Sequence, residues 1–383
     1  AQRSAGRSAG LAAWEGLAAL IVRSARCGAA RSSPGRRLGA QSCIRDQNSM
    51  GHSIRAALTL LGAVRTTKAQ APQWNSLDGA ETARFAETGV IKHAYFDDTP
   101  DKSSRARGYS TAEVLDALSK AKKQEQGYYG ETDDWLRNAL AEAAHPNWTY
   151  AVIGSVTPWY ECLLADSGAS HVLVIEYHQI VSPDLTDLSE ADAALLQRIA
   201  YFTPAQFAFL RDLAPTELTV DAVVSVSSVE HDGLGRYGDP VDPDGDLKSM
   251  AKHRALLLGG SEAASMETIA RFAESNLDFD SSRCAPGKLL FLSMPVGRDC
   301  TYWNAHRVYG ANRLARLFRG WGLVSFHDGN AVDRNAELLA QVLALAAVEA
   351  DCTVSGVYLW AAFYQPVFVL CPLATVNETV EVF

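Results

Sequence analysis

YAVIGSVTPWYECLLADSGASHVLVIE (Tyr150–Glu176) carries the pattern that sets the fold class. Tyr150-Ala-Val-Ile-Gly154 is a short apolar run ending in glycine, as expected of a strand buried on both faces. Ser155–Pro158 supplies a turn, Trp159–Asp166 reads as a helix, and Gly168 stops it. His171-Val-Leu-Val-Ile-Glu176 is a second buried strand, ending on an acid. Strand, glycine turn, helix, strand and acid in that order make one βαβ unit of a doubly wound sheet.

In such a unit the helix N-terminus and backbone N–H groups face the ligand, and the acid accepts ribose hydroxyls. The layout predicts a nucleoside-containing cofactor. Gly154, Ser155 and Pro158 would hold it from the turn, Glu176 and Tyr177 from the end of the second strand, and Ser228 from a neighbouring strand. There is one glycine where a dinucleotide fold shows G-x-G-x-x-G, and Pro158-Trp159 stands in place of the later ones. An indole there leaves little room for a pyrophosphate. That argues against NAD or FAD and for S-adenosylmethionine, which carries no phosphate. The structural alternative is a plain strand-ending turn at Gly154, with Glu176 at a solvent-facing strand end.

Ser225–Asp246, SVSSVEHDGLGRYGDPVDPDGD, is the second informative stretch. A β-rich entry from Asp221 delivers Glu230, His231, Arg236 and Tyr237 into a loop shaped by glycine and proline. The literal G-x-G-x-x-G at Gly233–Gly238 runs into Asp239-Pro240 and opens no helix, so its glycines read as turn residues. Asp242-x-Asp244-x-Asp246 starts like a calcium loop, but Leu247 sits where the turn glycine belongs and His253 where the bidentate Glu belongs. No metal is expected there, and Asp246 reads as a helix N-cap. His231 is the candidate general base, with Glu230 beside it. Arg236 and Tyr237 would orient an anionic or sugar-like acceptor. Asn304-x-His306-Arg307 should reach the same crevice from the neighbouring strand. The alternative is that His231 and His306 are hydrogen-bonded structural rim residues.

Charge is unevenly spread. Residues 1–70 hold eleven Lys and Arg against Glu15 and Asp46, while the whole chain carries −9, leaving −18 for residues 71–383. An acidic body repels phosphate backbones, so nucleic acid is excluded as a partner. No apolar run approaches the ~20 residues of a membrane span. Residues 1–71 read as a disordered or targeting extension. About residues 50–71 a basic start, an apolar run and Ala69-Gln70-Ala71 suit a secretory signal or an organellar transit peptide. The seven cysteines show no C-x-x-C pair and are expected to be mostly buried thiols. Asn147-Trp-Thr149 and Asn377-Glu-Thr379 are N-glycosylation sequons that matter only in a secreted chain.

Residues 72–147 read as a linker and helical cover. Ser110-Thr-Ala-Glu113 is a capping box opening a helix to about Gln126, and Thr132-Asp-Asp caps a second, Trp135–Ala144. Residues 148–383 make the main domain, with a further helix over Ser189–Tyr201, a helix from Leu247 and an inserted arm about 259–283. A helix over Arg307–Phe318, another over Asn335–Ala350 and an antiparallel edge strand Gln365–Leu373 complete it.

The same residues carry a resemblance. Gly154-Ser155…Pro158-Trp159-Tyr160-Glu161, Glu176-Tyr177, Ser225–Asp246, Pro295-Val-Gly297…Asp299 and Asn304-x-His306-Arg307-x-Tyr309-Gly310 resemble the domain-of-unknown-function family numbered 268, first grouped from Caenorhabditis proteins. The resemblance covers about residues 127–330 and implies a methyltransferase-like Rossmann fold without an established reaction. The expected fold is an α/β, doubly wound, mostly parallel seven-stranded sheet of the class I S-adenosylmethionine methyltransferase type. The expected function is methyl transfer to a small-molecule or glycan-like polar acceptor. Two alternatives stay open: a non-catalytic binding domain with a degenerate methyltransferase fold, and a nucleotide-sugar enzyme, which would need phosphate-binding groups the sequence does not display.

Overall fold

The computed structural model describes residues 72–87, 89–98, 109–178, 180, 183–186, 188–213, 219–272, 283–329 and 365–373. The basic extension 1–71 with its targeting segment, the expected helix Asn335–Ala350, the tip of the arm and the sequon at Asn377 lie outside them. The described residues within 68–205 and 219–383 form one compact unit, to which everything below refers apart from the helix Pro204–Leu213, whose residues from Gln206 fall in the other unit.

In chain order the described elements begin with α1 (Gly79–Ala86), β1 (Val90–His93), α2 (Thr111–Lys122) and α3 (Glu131–Ala143). Next come β2 (Thr149–Ile153), α4 (Trp159–Asp166), β3 (His171–Ile175), α5 (Glu190–Leu196), β4 (Ile199–Phe202) and α6 (Pro204–Leu213). After them follow β5 (Ala222–Val226), α7 (Gly245–Leu258), α8 (Glu262–Ala270), β6 (Leu289–Ser293), β7 (Cys300–Trp303) and β8 (His306–Val308). Last are α9 (Ala311–Leu317), β9 (Trp321–His327) and β10 (Val367–Pro372).

Seven strands form one sheet in the order β4-β3-β2-β5-β6-β10-β9. The pairs β3–β4, β2–β3, β2–β5 and β5–β6 are parallel, while β10 runs antiparallel to both β6 and β9. The sheet is therefore mixed, where a mostly parallel one was expected. β10 was expected at an edge and lies inside, with all six of its residues buried. Its unbroken run Val367-Phe-Val-Leu-Cys-Pro372 is what a strand covered on both faces requires.

Both faces are covered. Tyr150, Val152, Val172, Val174, Val224 and Val369 pack with Val114, Leu118, Leu136, Leu140 and Leu163 of α2, α3 and α4 in one core. On the opposite side Phe368 stacks edge-on against Phe318 at 5.0 Å between ring centroids. Alternation along each strand sends successive side chains to these two layers.

Three local readings need correction. The stretch Ser189–Tyr201 was expected to be one helix. Ser189 does cap α5, but the helix stops at Leu196 and Ile199–Phe202 pairs with β3 as the edge strand β4. The expected helix from Arg307 begins at Ala311, because His306-Arg-Val308 joins β7 and β1 in a separate three-stranded sheet, β1-β7-β8. Thr132 does not cap α3. The helix starts at Glu131 behind Gly130, whose φ of +57° suits glycine, and the Thr132 hydroxyl donates to the Gln365 carbonyl at 2.9 Å.

Cysteines give a further correction. Cys162 and Cys300 are buried thiols, but Cys284 and Cys371 form a disulfide that staples the residues before β6 to the end of β10. The other three cysteines fall outside the described residues.

Candidate functional site

Chain order reverses at the centre of the sheet: β3 and β4 lie to one side of β2, and β5 and β6 to the other. In an open α/β sheet, ligands bind outside the carboxyl ends of the strands at that switch point. The residues leaving β2, β3 and β5 there are Gly154-Ser155, Glu176-Tyr177 and Ser227–His231.

The β2 and β3 ends are locked together. Gly154 donates its N–H to the Ile175 carbonyl at 3.0 Å, extending the ladder by one residue. The next amide, that of Ser155, donates to Oε2 of Glu176 at 2.9 Å. Oε1 of Glu176 accepts the His178 amide at 3.1 Å, with the His178 ring 3.3 Å away. The Glu176 side chain is thus held in place, and Oε2, which accepts the Ser155 amide, has room for a second donor. Gly154 has a φ of +73°, and a β-carbon there would lie 2.8 Å from the Ser228 hydroxyl oxygen. Only glycine lets β2 and the start of the β5 loop approach so closely.

Beneath the turn lies a carboxyl that sequence reading missed as a site group. Glu161, in the first turn of α4, has no solvent exposure. The Ser155 hydroxyl lies 2.9 and 3.1 Å from its two oxygens, and the Tyr109 hydroxyl donates to the Ser155 carbonyl at 2.8 Å. Burial raises the Glu161 carboxyl to about 8. Its signal in the sequence was an acid inside an otherwise apolar helix, Trp159–Ala165. Pro158 is the N-cap of α4 and offers no side-chain cap. The indole of Trp159 packs against Gly127, where a β-carbon would come within 2.5 Å of the ring, and beneath the Arg137 guanidinium.

A folded pKa of about 8 lies above the ordinary carboxyl value, so Glu161 favours the fold fully at acid pH. That contribution is lost as pH rises through the folded value. We expect Glu161→Gln to match the parent below about pH 4 and to gain on it by about 1.4 kcal/mol per pH unit between roughly pH 5 and pH 8. Urea midpoints at several pH values check this. A constant difference across the range would refute it.

On the β5 side, Val229–His231 form a single 3-10 turn that buries Glu230 and His231. Glu230 accepts from the Ser227 hydroxyl through Oε1 at 2.6 Å, while Oε2 is buried with no hydrogen-bond partner among the described residues. Burial raises this carboxyl also, to about 8, which favours its protonated form. Nδ1 of His231 sits 2.5 Å from the Ala305 carbonyl oxygen. A carbonyl only accepts, so Nδ1 carries the proton and Nε2 holds the lone pair. Nε2 lies 3.8 Å from Glu230 Oε1. Burial, with Arg236 nearby, keeps the His231 imidazole neutral, and the same causes lower His306 to about 4.

The structure brings His231, Tyr237 and His306 together: the His231 ring is 5.5 Å from that of Tyr237 and 6.2 Å from that of His306. Tyr129, from the loop ahead of α3, comes up beside Ser227, Glu230 and Tyr237. It was not anticipated as a site residue, because nothing in a Tyr-Tyr-Gly turn announces which loop it meets. Tyr177 lies within the electrostatic reach of Asp232, Asp239 and Glu176, between the two halves of the site.

Arg236, expected with Tyr237 to orient an acceptor, and Arg307, expected to reach the same crevice, both make bonds that hold the rim loop. Arg236 holds Asp98 through Nε at 2.7 Å and Nη2 at 2.6 Å and lies over Phe96 and Tyr237. Arg307 donates to the Asp232 carbonyl at 2.6 Å and faces those of Asp242 and Pro243 at 3.4 Å. The loop is fixed from within as well. Asp239 accepts the amides of Gly233, Gly235 and Tyr237 at 2.7, 3.1 and 3.3 Å. A β-carbon on Gly233 would lie 2.1 Å from the Asp242 carbonyl oxygen.

The aspartate run is consumed by cations of the chain. Asp242 pairs with Lys248, Asp244 with Arg84 and Arg316, and Asp246 with Arg313. Asp246 was expected to cap α7; it lies instead inside the first turn, fully buried, and Asp244 takes the cap position without a side-chain bond. Among the described residues no three His, Cys, Asp or Glu side chains are grouped to hold a metal, and no helix is long and apolar enough to cross a membrane.

The family described as "Caenorhabditis protein of unknown function, DUF268" matches residues 148–352. No curated protein matches the chain. Among solved structures, the crystal structure of the [4+2]-cyclase SpnF aligns with a TM-score of 0.36 at 13% identity, covering 74% of this chain and 100% of that one.

Proposed function

We propose, for a chain that belongs to the DUF268 family of Caenorhabditis proteins of unknown function, that it binds S-adenosylmethionine at the carboxyl ends of β2, β3 and β5. The methyl acceptor on this reading is a small or glycan-like polar molecule. The observation that carries the reading is the pairing of the Ser155 amide with Glu176 beside Gly154, one strand away from Glu230 and His231. Strand order supports it: numbered within the sheet, the strands run 3-2-1-4-5-7-6, a doubly wound order with an antiparallel seventh strand inserted next to the last.

The residues present fit the cofactor. Gly154 keeps the turn free of a side chain, Glu176 offers carboxylate oxygens to vicinal hydroxyls, and Tyr177 and Ser228 flank them. Glu161 sits in the first turn of α4, where a phosphate-bearing cofactor would put its anion. Its oxygens and the Thr157 carbonyl take up the Ser155 hydroxyl, so the turn offers no hydroxyl to a phosphate. When bound, S-adenosylmethionine would supply an electrophilic methyl group. His231 Nε2 would take the proton from the acceptor hydroxyl or amine, while the Ala305 carbonyl holds the ring in the required tautomer. Glu230, protonated, would donate a hydrogen bond from its unpartnered oxygen.

His231→Ala should therefore retain S-adenosylhomocysteine affinity within about twofold and lose roughly 10²–10⁴ in methyl transfer. Thermal unfolding with increasing S-adenosylhomocysteine tests binding: the midpoint should rise with ligand, by the equivalent of about 2.7 kcal/mol at a hundredfold excess over Kd. No rise at millimolar ligand would contradict the reading. A non-catalytic binding domain is the second reading. The commitment of Arg236 and Arg307 to the rim loop favours it, and a His231→Ala variant indistinguishable from the parent in transfer assays would select it.

A further inference from the structure

We infer that Asn147 is an N-linked glycosylation site and that the chain matures in an oxidising secretory compartment. Two independent observations carry this. Asn147-Trp148-Thr149 is an acceptor sequon. Asn147 is exposed at a turn together with His145 and Pro146, in the left-handed region at a φ of +71°, which asparagine tolerates well. Its amide donates to the Gly168 carbonyl at 2.9 Å, which fixes the turn and leaves the side chain on the surface.

The second observation lies at the other side of the sheet. Cys284 bridges Leu373 in an antiparallel pair, and its α-carbon is 5.5 Å from that of Cys371, within the usual span of a disulfide. Gly322 makes room for both sulfurs, since a β-carbon there would lie 3.0 and 3.4 Å from them. A structural disulfide built into the central sheet persists in the secretory route and is rare in a reducing cytosol. The remaining described cysteines, Cys162 and Cys300, are buried and offer no exposed thiol to scramble it.

Thr149 sets the order of events. Its amide donates to Asp221 at 2.9 Å, and its hydroxyl lies 3.3 Å from that of Ser170. The sequon is therefore presented as an extended segment before β2 enters the sheet, so transfer precedes folding. A lipid-diphosphate-linked oligosaccharide is the donor class. The bond formed joins Asn147 Nδ2 to the anomeric carbon; the bond broken is that carbon's link to the diphosphate, which leaves as the amide proton is removed. Asn147 precedes β2, whereas the candidate site follows it. The glycan thus projects from the opposite, amino-terminal end of the strand, about 17 Å away at ~3.3 Å per residue over its length.

The test is peptide mapping of the protein from its native source, after enzymatic deglycosylation in heavy-oxygen water and without reduction. The expected result is residue 147 recovered as heavy-labelled aspartate, together with a Cys284–Cys371 cross-linked peptide. Recovery of unmodified Asn147, or of Cys284 and Cys371 as free thiols, would overturn the inference. Asn147→Asp, which keeps the turn conformation accessible, should remove the glycan without lowering expression. With the second sequon removed by Asn377→Asp, an N-linked glycan that survives Asn147→Asp would also count against the assignment.

Discussion

Asp246→Ala should destabilise the fold by about 3–5 kcal/mol, the cost of breaking one side of a buried ion pair. Asp246 has no solvent exposure and receives Arg313 Nε at 2.9 Å, a second contact from Arg313 Nη2, the Tyr309 hydroxyl at 3.1 Å and the Leu247 amide at 2.9 Å. Burial pushes its carboxyl up, but Arg307 and Arg313 outweigh that and hold it below the usual range. Without it, Arg313 would retain the Pro243 carbonyl, but the start of α7 would lose its carboxylate tie to α9. Equilibrium urea unfolding measures the change. A loss under about 1 kcal/mol would mean that water or another acid replaces the carboxylate. The same pair fixes the pH response: a depressed carboxyl value gives stability at neutral pH that disappears as pH falls through the folded value.

Glu176→Ala is expected to weaken S-adenosylhomocysteine binding by about 10- to 100-fold. Hydrogen bonds to a charged group contribute roughly 1.5–3 kcal/mol, and ~1.4 kcal/mol is a factor of ten. The substitution removes the proposed ribose acceptor and also releases the Ser155 amide and His178, loosening the turn that lines the cofactor side. Calorimetry on the folded variant reads this directly. An unchanged affinity would place the ligand elsewhere or leave Glu176 as a purely structural clamp.

The centre of the sheet was legible because its code is local. Tyr150–Glu176 shows strand, turn, helix and acid in contiguous residues, and α4 spans Trp159–Asp166 as the apolar run indicates. Elements that depend on partners far away were not legible. Ile199-Ala-Tyr-Phe202 continues a helical pattern, and only the edge of β3 makes it a strand. His306-Arg-Val308 is a strand because β7 offers a ladder, and β10 is interior because β9 pairs on its far side. Site residues divide in the same way. The placement of Glu230 and His231 just beyond a strand could be read from the sequence. The raised carboxyl of Glu161, the Ala305 carbonyl that sets the His231 tautomer and the Asp98 partner of Arg236 arise from burial and long-range packing, which no spacing records.

The most direct measurement is isothermal titration of the full chain with S-adenosylhomocysteine, with adenosine and NAD as comparators. The account predicts saturable binding of one ligand per chain, weaker binding of adenosine, and no competition from NAD. Absence of heat up to millimolar S-adenosylhomocysteine, or equal competition by NAD, would contradict it.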